Sequence, residues 1–377
     1  MKTRSMYKAE RMSLDKLPEP VLETILCLLP TEEAARTSIL SREWRYKWTN
    51  IPRLRFTLCK RTSKPTSDIA STRKNMDMND LHQVLLLRQG PIHELTLVMD
   101  DYWQGYNCFE FQQIILHLSR NHTVKKLTFF GPYESKNIWN KLPKSVFALH
   151  HLTDLSLSTF HIDLPSIFNG FGCLGSLCLM YVKISTQTLL HLLSNCPSLK
   201  TLNLKIDESG DKCTINELFK CLPVIERLTM SGVVSKWLVL DSVAQELPTS
   251  LIHLKSLCLN QSCLSGAYGS ALLLALIKCS PNLEHAYLEM KCDLDFSAIK
   301  DEYSDVWLEH LNKLRICFFR NSLETEFVKF MFARSPKLKN VSIFVAVDRT
   351  QDQSKMLETL FRTPRASSAV KITIWTV

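Results

Sequence analysis

Apolar positions in the first sixty residues recur at helical spacing. Leu22, Ile25, Leu26 and Leu29 follow Pro18 at three- and four-residue intervals and predict a short amphipathic helix that closes near Pro30. Thr31 is placed to cap a second helix with Glu32 and Glu33 in its first turn, and Ala34 to Leu40 is expected to pack back on the first. A third helical segment from Ser41 would put Trp44 and Trp48 on one face before Ile51 and Pro52 end it. Three helices in about 40 residues close only a small core. Such a module needs support from the chain that follows or from a partner, and an apolar seam left exposed on it is functional.

The periodicity then stops. Residues 60–76, KRTSKPTSDIASTRKNM, show neither helical nor strand alternation and predict a loop or flexible insertion. From about residue 91 a different order begins, in which an apolar triplet of the form L-x-x-L-x-L returns again and again. Examples are Ile92, Leu95, Leu97; Leu174, Leu177, Leu179; and Leu199, Leu202, Leu204. The central positions are Leu95, Leu127, Leu155, Leu177, Leu202, Leu228, Leu257, Ala286, Leu314 and Val341. These ten proposed copies recur every 22 to 32 residues, around the period of leucine-rich repeats. Each copy reads as a short strand with its last two marked positions turned inward, followed by an outer segment that returns the chain. Ile184 to Leu193, Ile215 to Phe219 and Leu272 to Ile277 are the candidate outer helices. One unit cannot bury both its apolar layers, so the copies are expected to stack into a solenoid with a curved strand face. The fold class is therefore α/β, a helical head followed by an irregular leucine-rich repeat solenoid.

Composition narrows the function. Ten glycines in 377 residues are too few and too scattered for a phosphate-cradling loop. Thirteen cysteines, an odd number, lack CxxC pairs or compact Cys/His spacing and sit mostly in apolar runs, the pattern of buried thiols in a reducing compartment. Cys196 before Pro197, Cys221 before Leu222 and Pro223, and Cys279 before Ser280 and Pro281 mark the ends of outer segments, where a small thiol fills the layer and proline stops the helix. The net charge of +9 lies mostly in residues 1–11, with Lys2, Arg4, Lys8 and Arg11 against Glu10, and in residues 60–76. That distribution argues for solvated tails rather than a specific nucleic-acid groove. The longest apolar stretches, such as Ala271 to Ile277, are far below the roughly 20 residues that span a bilayer, and no signal core follows the basic start. An intracellular protein is expected, in nucleus or cytoplasm, with no membrane partner and no cofactor.

Catalysis has little to stand on. Glu32 and Glu33 are adjacent and suit a helix start better than an acid–base pair, and His150, His151, His161 and His191 are scattered.

The ordered passage LDKLPEPVLETILCLLPTEEAARTSILSREWRYKWTNIPRLRF, Leu14 to Phe56, closely resembles the plant F-box pattern in its initial LP, its apolar helix and its TSILSREWRYKW segment. Residues 311–377 resemble an FBD region through ETEFVKFMFARSPKLKNVSI, Glu324 to Ile343, and KMLETLFRTPRASSAVKITI, Lys355 to Ile374. With the divergent repeats between them, the chain resembles the plant F-box/FBD/LRR-repeat family. The expected organisation is a basic extension over 1–13, a three-helix F-box over 14–57 and a polar linker over 58–80. A leucine-rich repeat region follows over 81–310, and an FBD region that continues it over 311–377.

The resemblance implies a non-catalytic substrate receptor of an SCF-type ubiquitin ligase. It would dock a Skp/ASK-family adaptor, reach a cullin–RING complex through it, and hold an unknown protein substrate on the repeat body. The adaptor surface it implies includes Leu17, Pro18, Leu22, Ile25, Leu40, Trp44 and Trp48, each either in contact or in internal support. Among alternating strand residues, Glu94, Lys126, Asp154, Asn203 and Arg227 are candidates for cargo binding, and they equally suit a hydrated sheet face. A non-degradative interaction scaffold built on the same head is the alternative.

Overall fold

The computed structural model describes residues 17–58, 78–99, 108–131, 140–208, 211–231, 237–240, 251–260, 266–290, 306–318, 324–345 and 358–376. The expected basic extension and the run at 60–76 lie outside the described residues. Two compact units divide the chain at residues 135 and 136.

In the first unit, α1 (Glu19–Leu28) and α2 (Thr31–Arg36) form where the apolar spacing places them, and a 3-10 turn (Thr37–Ile39) follows. The third expected helix does not form. Residues 42–46 are turns, and a 3-10 helix covers Lys47–Asn50. Tyr46, at φ −121° and ψ 2°, has left helical geometry. The carbonyls of Trp48 and Ile51 are taken by the Arg88 guanidinium from further along the chain. Thr31 does not cap α2 either. It lies inside the helix after Pro30, and its buried hydroxyl accepts the Arg55 amide at 2.8 Å.

That bond joins the helical head to β1 (Arg53–Leu58), a strand that straddles the expected end of the F-box. Then come α3 (Met78–Leu86), which starts within the expected linker range, β2 (Glu94–Met99), α4 (Cys108–Asn121) and β3 (Lys126–Phe130). β1 pairs β2 and β2 pairs β3, both parallel, with Leu54, Leu95 and Leu127 in one register row.

The second unit is a run of parallel strands. It contains β4 (Asn140–Lys141), β5 (Asp154–Ser158), β6 (Phe160–His161), β7 (Ser176–Lys183), α5 (Thr186–Ser194), β8 (Thr201–Glu208), β9 (Cys213–Thr214), α6 (Ile215–Lys220), β10 (Arg227–Ser231) and β11 (Leu238–Val239). β12 (Ser256–Leu259), α7 (Gly266–Lys278), β13 (His285–Met290), β14 (Lys313–Phe318), α8 (Glu324–Arg334), β15 (Asn340–Val345) and β16 (Lys371–Thr376) complete it. The expected central residues fall into a single register row: Leu155, Leu177, Leu202, Leu228, Leu257, Ala286, Leu314 and Val341 stand side by side on successive strands. β16 extends the row with Ile372. Period-2 alternation buries the row from Leu155 to Val341 against the outer segments, leaves Ile372 half-buried at its end, and turns the neighbouring positions to the opposite, open face.

A recurrent bond fixes the step between strands. At the starts of β7, β8, β10 and β12–β15 two successive amides donate to one carbonyl just ahead of the preceding strand: Lys200 and Thr201 to Gly175, Glu226 and Arg227 to Lys200, Lys255 and Ser256 to Glu226. The same pair recurs as far as Lys339 and Asn340 on Asn312.

Outer segments are helical where the interval allows. α5 begins at Ser185, whose hydroxyl accepts the Thr188 amide, and α6 carries a capping box between Thr214 and Glu217. Between β5 and β7 the interval is shortest and no helix forms. Phe168 and Phe171 fill that layer with Phe147: the Phe168 ring stands edge-on to both others at 5.4 Å, and Phe147 and Phe171 stack at 6.1 Å. Cys196 and Cys279 are buried at the ends of α5 and α7, and Cys196 Sγ donates to the Leu192 carbonyl at 3.2 Å. Cys27, Cys173, Cys178, Cys196, Cys213, Cys221, Cys258, Cys279 and Cys317 are free thiols. Burial pushes Cys196, Cys213, Cys258 and Cys279 up to about 11, so they pack as neutral side chains.

Candidate functional site: the helical head and the open strand face

The head is apolar on two sides. Leu22 and Leu26 of α1 point inward with Ala34, Trp44, Trp48 and Ile51, and all are buried. Val21, Ile25 and Leu28, spaced four and three apart, form a second stripe on the outer side of α1, where Leu28 is 71% exposed. Ile39, Leu40 and Tyr46 are also exposed, Leu40 at 59%. The residues expected at the adaptor surface therefore divide. Pro18, Ile25 and Leu40 are exposed and Leu17 is half-buried, whereas Leu22, Trp44 (3% exposed) and Trp48 lie in the core of the head. The two tryptophans face one way, as their spacing suggests, but that way is inward. Val21, Leu28, Ile39 and Tyr46 were not singled out by the apolar spacing, because a stripe on the solvent side of a helix carries the same periodicity as one on the core side.

Arg88, just beyond α3, holds the end of the head in place. Its guanidinium donates to the Trp48 carbonyl at 2.8 Å, to the Ile51 carbonyl, and to the Pro91 carbonyl at 3.4 Å. Burial lowers its pKa to about 10, which still leaves it charged at neutral pH. The Gln89 and Gly90 amides both donate to the Thr49 carbonyl at 3.2 Å. Gly90 passes so close that a Cβ there would lie 2.7 Å from the Asn50 carbonyl oxygen. The head and the first parallel strands thus form one packed body.

On the open strand face, the candidate residues sit in register rows. Glu94 bridges Arg53 at 2.5 Å and Lys126 at 3.6 Å across β1, β2 and β3. Burial pushes the Glu94 carboxyl up, but the Arg53 hydrogen bond and charge, helped by Lys126, outweigh it and hold the pKa below its ordinary value. In the second unit Asp154 accepts the Thr153 hydroxyl at 2.7 Å, and Arg227 donates to the Thr201 hydroxyl at 3.1 Å. Asn203 stands between Cys178 and Thr229. Glu94 and Lys126 are in one unit and Asp154, Asn203 and Arg227 in the other.

The same face carries a group that no local spacing marks. Arg315 of β14 lies over the Tyr287 ring at 5.0 Å and the Phe344 ring at 4.2 Å, and Phe344 stacks on Trp375 at 6.1 Å with their planes 11° apart. Tyr287 bonds to the Cys317 thiol at 3.6 Å, and burial with that bond pushes its phenol up to about 12, so it stays neutral. These residues come from four strands and meet only through the parallel register.

Among the described residues no group of three or more His, Cys, Asp or Glu side chains is placed to hold a metal ion, and no helix is long and apolar enough to cross a membrane.

Comparison with known families matches residues 14–56 to the F-box domain and residues 113–247 to the leucine-rich repeats described as "FBD-associated F-box protein At5g56370, LRR repeats". The F-box/FBD/LRR-repeat protein At1g13570 of Arabidopsis thaliana is 26% identical, over 95% of this chain and 97% of its own. Two FBD-associated F-box proteins of the same organism are also similar. At5g56370 is 25% identical over 88% of this chain and 74% of its own, and At5g38590 is 28% identical over 90% and 79%. The chain thus carries a match to the F-box domain and a match to F-box-associated leucine-rich repeats, and over 95% of its length it is similar to an F-box/FBD/LRR-repeat protein of Arabidopsis thaliana.

Proposed function

We propose that this chain is a non-catalytic substrate-recognition subunit of an SCF-type ubiquitin ligase. Its F-box docks a Skp-family adaptor, and its repeat and FBD body, read as a leucine-rich repeat solenoid, holds a protein cargo. F-box domains generally bind Skp1-like adaptors, and the observation that carries the reading is the second apolar stripe of α1. Val21, Ile25 and Leu28 stay exposed although Leu22 and Leu26 already supply the core. Burying one large aliphatic side chain stabilises a contact by about 1.5–3 kcal/mol, so a stripe of three is a strong docking edge.

The chain's contribution to ubiquitin transfer is positional. An adaptor gripping residues 14–56 fixes the chain in the ligase, and cargo held on the strand face meets the charged E2 enzyme at raised effective concentration. Reconstitution with a Skp-family adaptor, cullin, RING protein and E2 tests this. Co-assembly on gel filtration and ubiquitin transfer to a cargo captured by the intact chain are expected, and failure to co-assemble overturns the proposal.

A further inference from the structure

We propose that the open face of β13–β16 is a receptor for a protein segment carrying an acidic side chain next to an aromatic one, with Arg315 as the carboxylate-binding group. The inference deepens the cargo-binding reading and rests on it.

Arg315 is exposed, and among the described residues no carboxylate lies within ion-pair distance of it. Its guanidinium carbon instead lies 5.0 Å from the centre of the Tyr287 ring and 4.2 Å from that of Phe344. These ring contacts leave its N–H groups available to donate. Those groups form a planar fork whose spacing matches the two oxygens of a carboxylate. Because the rings already fix the side chain, little rotamer entropy remains to be lost on binding.

The surroundings have the same sign. Along these four strands the open-face charges described are Lys313, Arg315 and Lys371 against Glu289, a balance of three cations to one carboxylate. An anionic segment is therefore drawn to this end of the face, and a basic one is repelled.

The aromatic half of the occupant follows from Trp375. This ring is 52% exposed although it stacks on Phe344, so the stack ends in an open indole surface beside the cation. A flat side chain laid there extends the stack and covers apolar area while its acidic neighbour reaches Arg315.

The test uses the full chain co-purified with its adaptor, applied to an array of synthetic unphosphorylated peptides in which acidic and aromatic content vary independently. Enrichment of peptides with Asp or Glu next to Phe, Tyr or Trp is expected. Arg315→Ala should remove the acid preference at least tenfold, Arg315→Lys should keep part of it, and Trp375→Ala should remove the aromatic preference while the acid preference remains. A wild-type set no richer in acidic residues, or the same enrichment with Arg315→Ala, overturns the proposal. So does a phosphoserine-substituted array that outcompetes the carboxylate peptides. Adaptor binding of each preparation is measured separately: its loss counts against the ligase reading, whereas intact adaptor binding without acid selection counts against the receptor alone.

Discussion

Replacing Arg88 with alanine should release the helical head from the first strands without unfolding the rest of the chain. The Arg88 guanidinium supplies charge-assisted hydrogen bonds to the Trp48 and Ile51 carbonyls and a longer one to Pro91, while its Nε is buried without a partner. Hydrogen bonds to charged groups contribute about 1.5–3 kcal/mol each, and a buried carbonyl left unpaired costs about 1–3. Against this stands the relief of desolvating a guanidinium, a penalty visible in its lowered pKa of about 10. Two principal bonds lost and one penalty relieved leave a net cost of about 2–4 kcal/mol. Local opening of the head then becomes roughly 30- to 700-fold more frequent, since each 1.4 kcal/mol is tenfold. Hydrogen exchange read by mass spectrometry measures it. The α1 and α2 amides and those of Gln89 and Gly90 should lose protection by that factor, while amides of β7 and β8 keep theirs. Arg88→Lys should fall between, because one ammonium cannot reach both carbonyls in the guanidinium's geometry. Unchanged protection of α1 in Arg88→Ala would refute the argument.

Other outcomes follow from the same geometry. Glu94 has a folded-state pKa below its unfolded value, so the stability it contributes is present above about pH 4.5 and is lost as pH falls through the folded pKa. Urea titrations of wild type and Glu94→Gln should therefore converge on acidification, by no more than about 1 kcal/mol because the Arg53 and Lys126 partners are solvent-exposed. Gly170 sits at φ +85° with its position filled by Asn195, so Gly170→Ala should lower stability by at least about 1–3 kcal/mol, read as a fall in the urea midpoint.

Much of the strand array is legible in the sequence because a parallel repeat writes its core at fixed local spacing. Leu155, Leu177, Leu202 and Leu228 are found by pattern and stand in one register row. The strand β1 has the same pattern in Ile51, Leu54 and Phe56, but these positions also fit the end of the F-box passage, and β16 follows no full triplet. The tryptophans show where local spacing runs out. Trp44 and Trp48 share a face, but whether it looks inward depends on Arg88 and on strands dozens of residues away. The same holds for Tyr287, Arg315, Phe344 and Trp375, which only the sheet register brings together.

The docking edge on the head is tested most directly by calorimetric titration of a Skp-family adaptor into the full chain, comparing wild type with two variants whose folded fraction is measured by circular dichroism. Leu28→Asp combined with Leu40→Asp alters two exposed side chains and should weaken binding by more than about 100-fold, from about 1.5–3 kcal/mol lost at each. Trp44→Ala should instead lower stability by about 3–5 kcal/mol, while the fraction that remains folded binds with near wild-type affinity. Undiminished binding by the folded double variant would contradict the account.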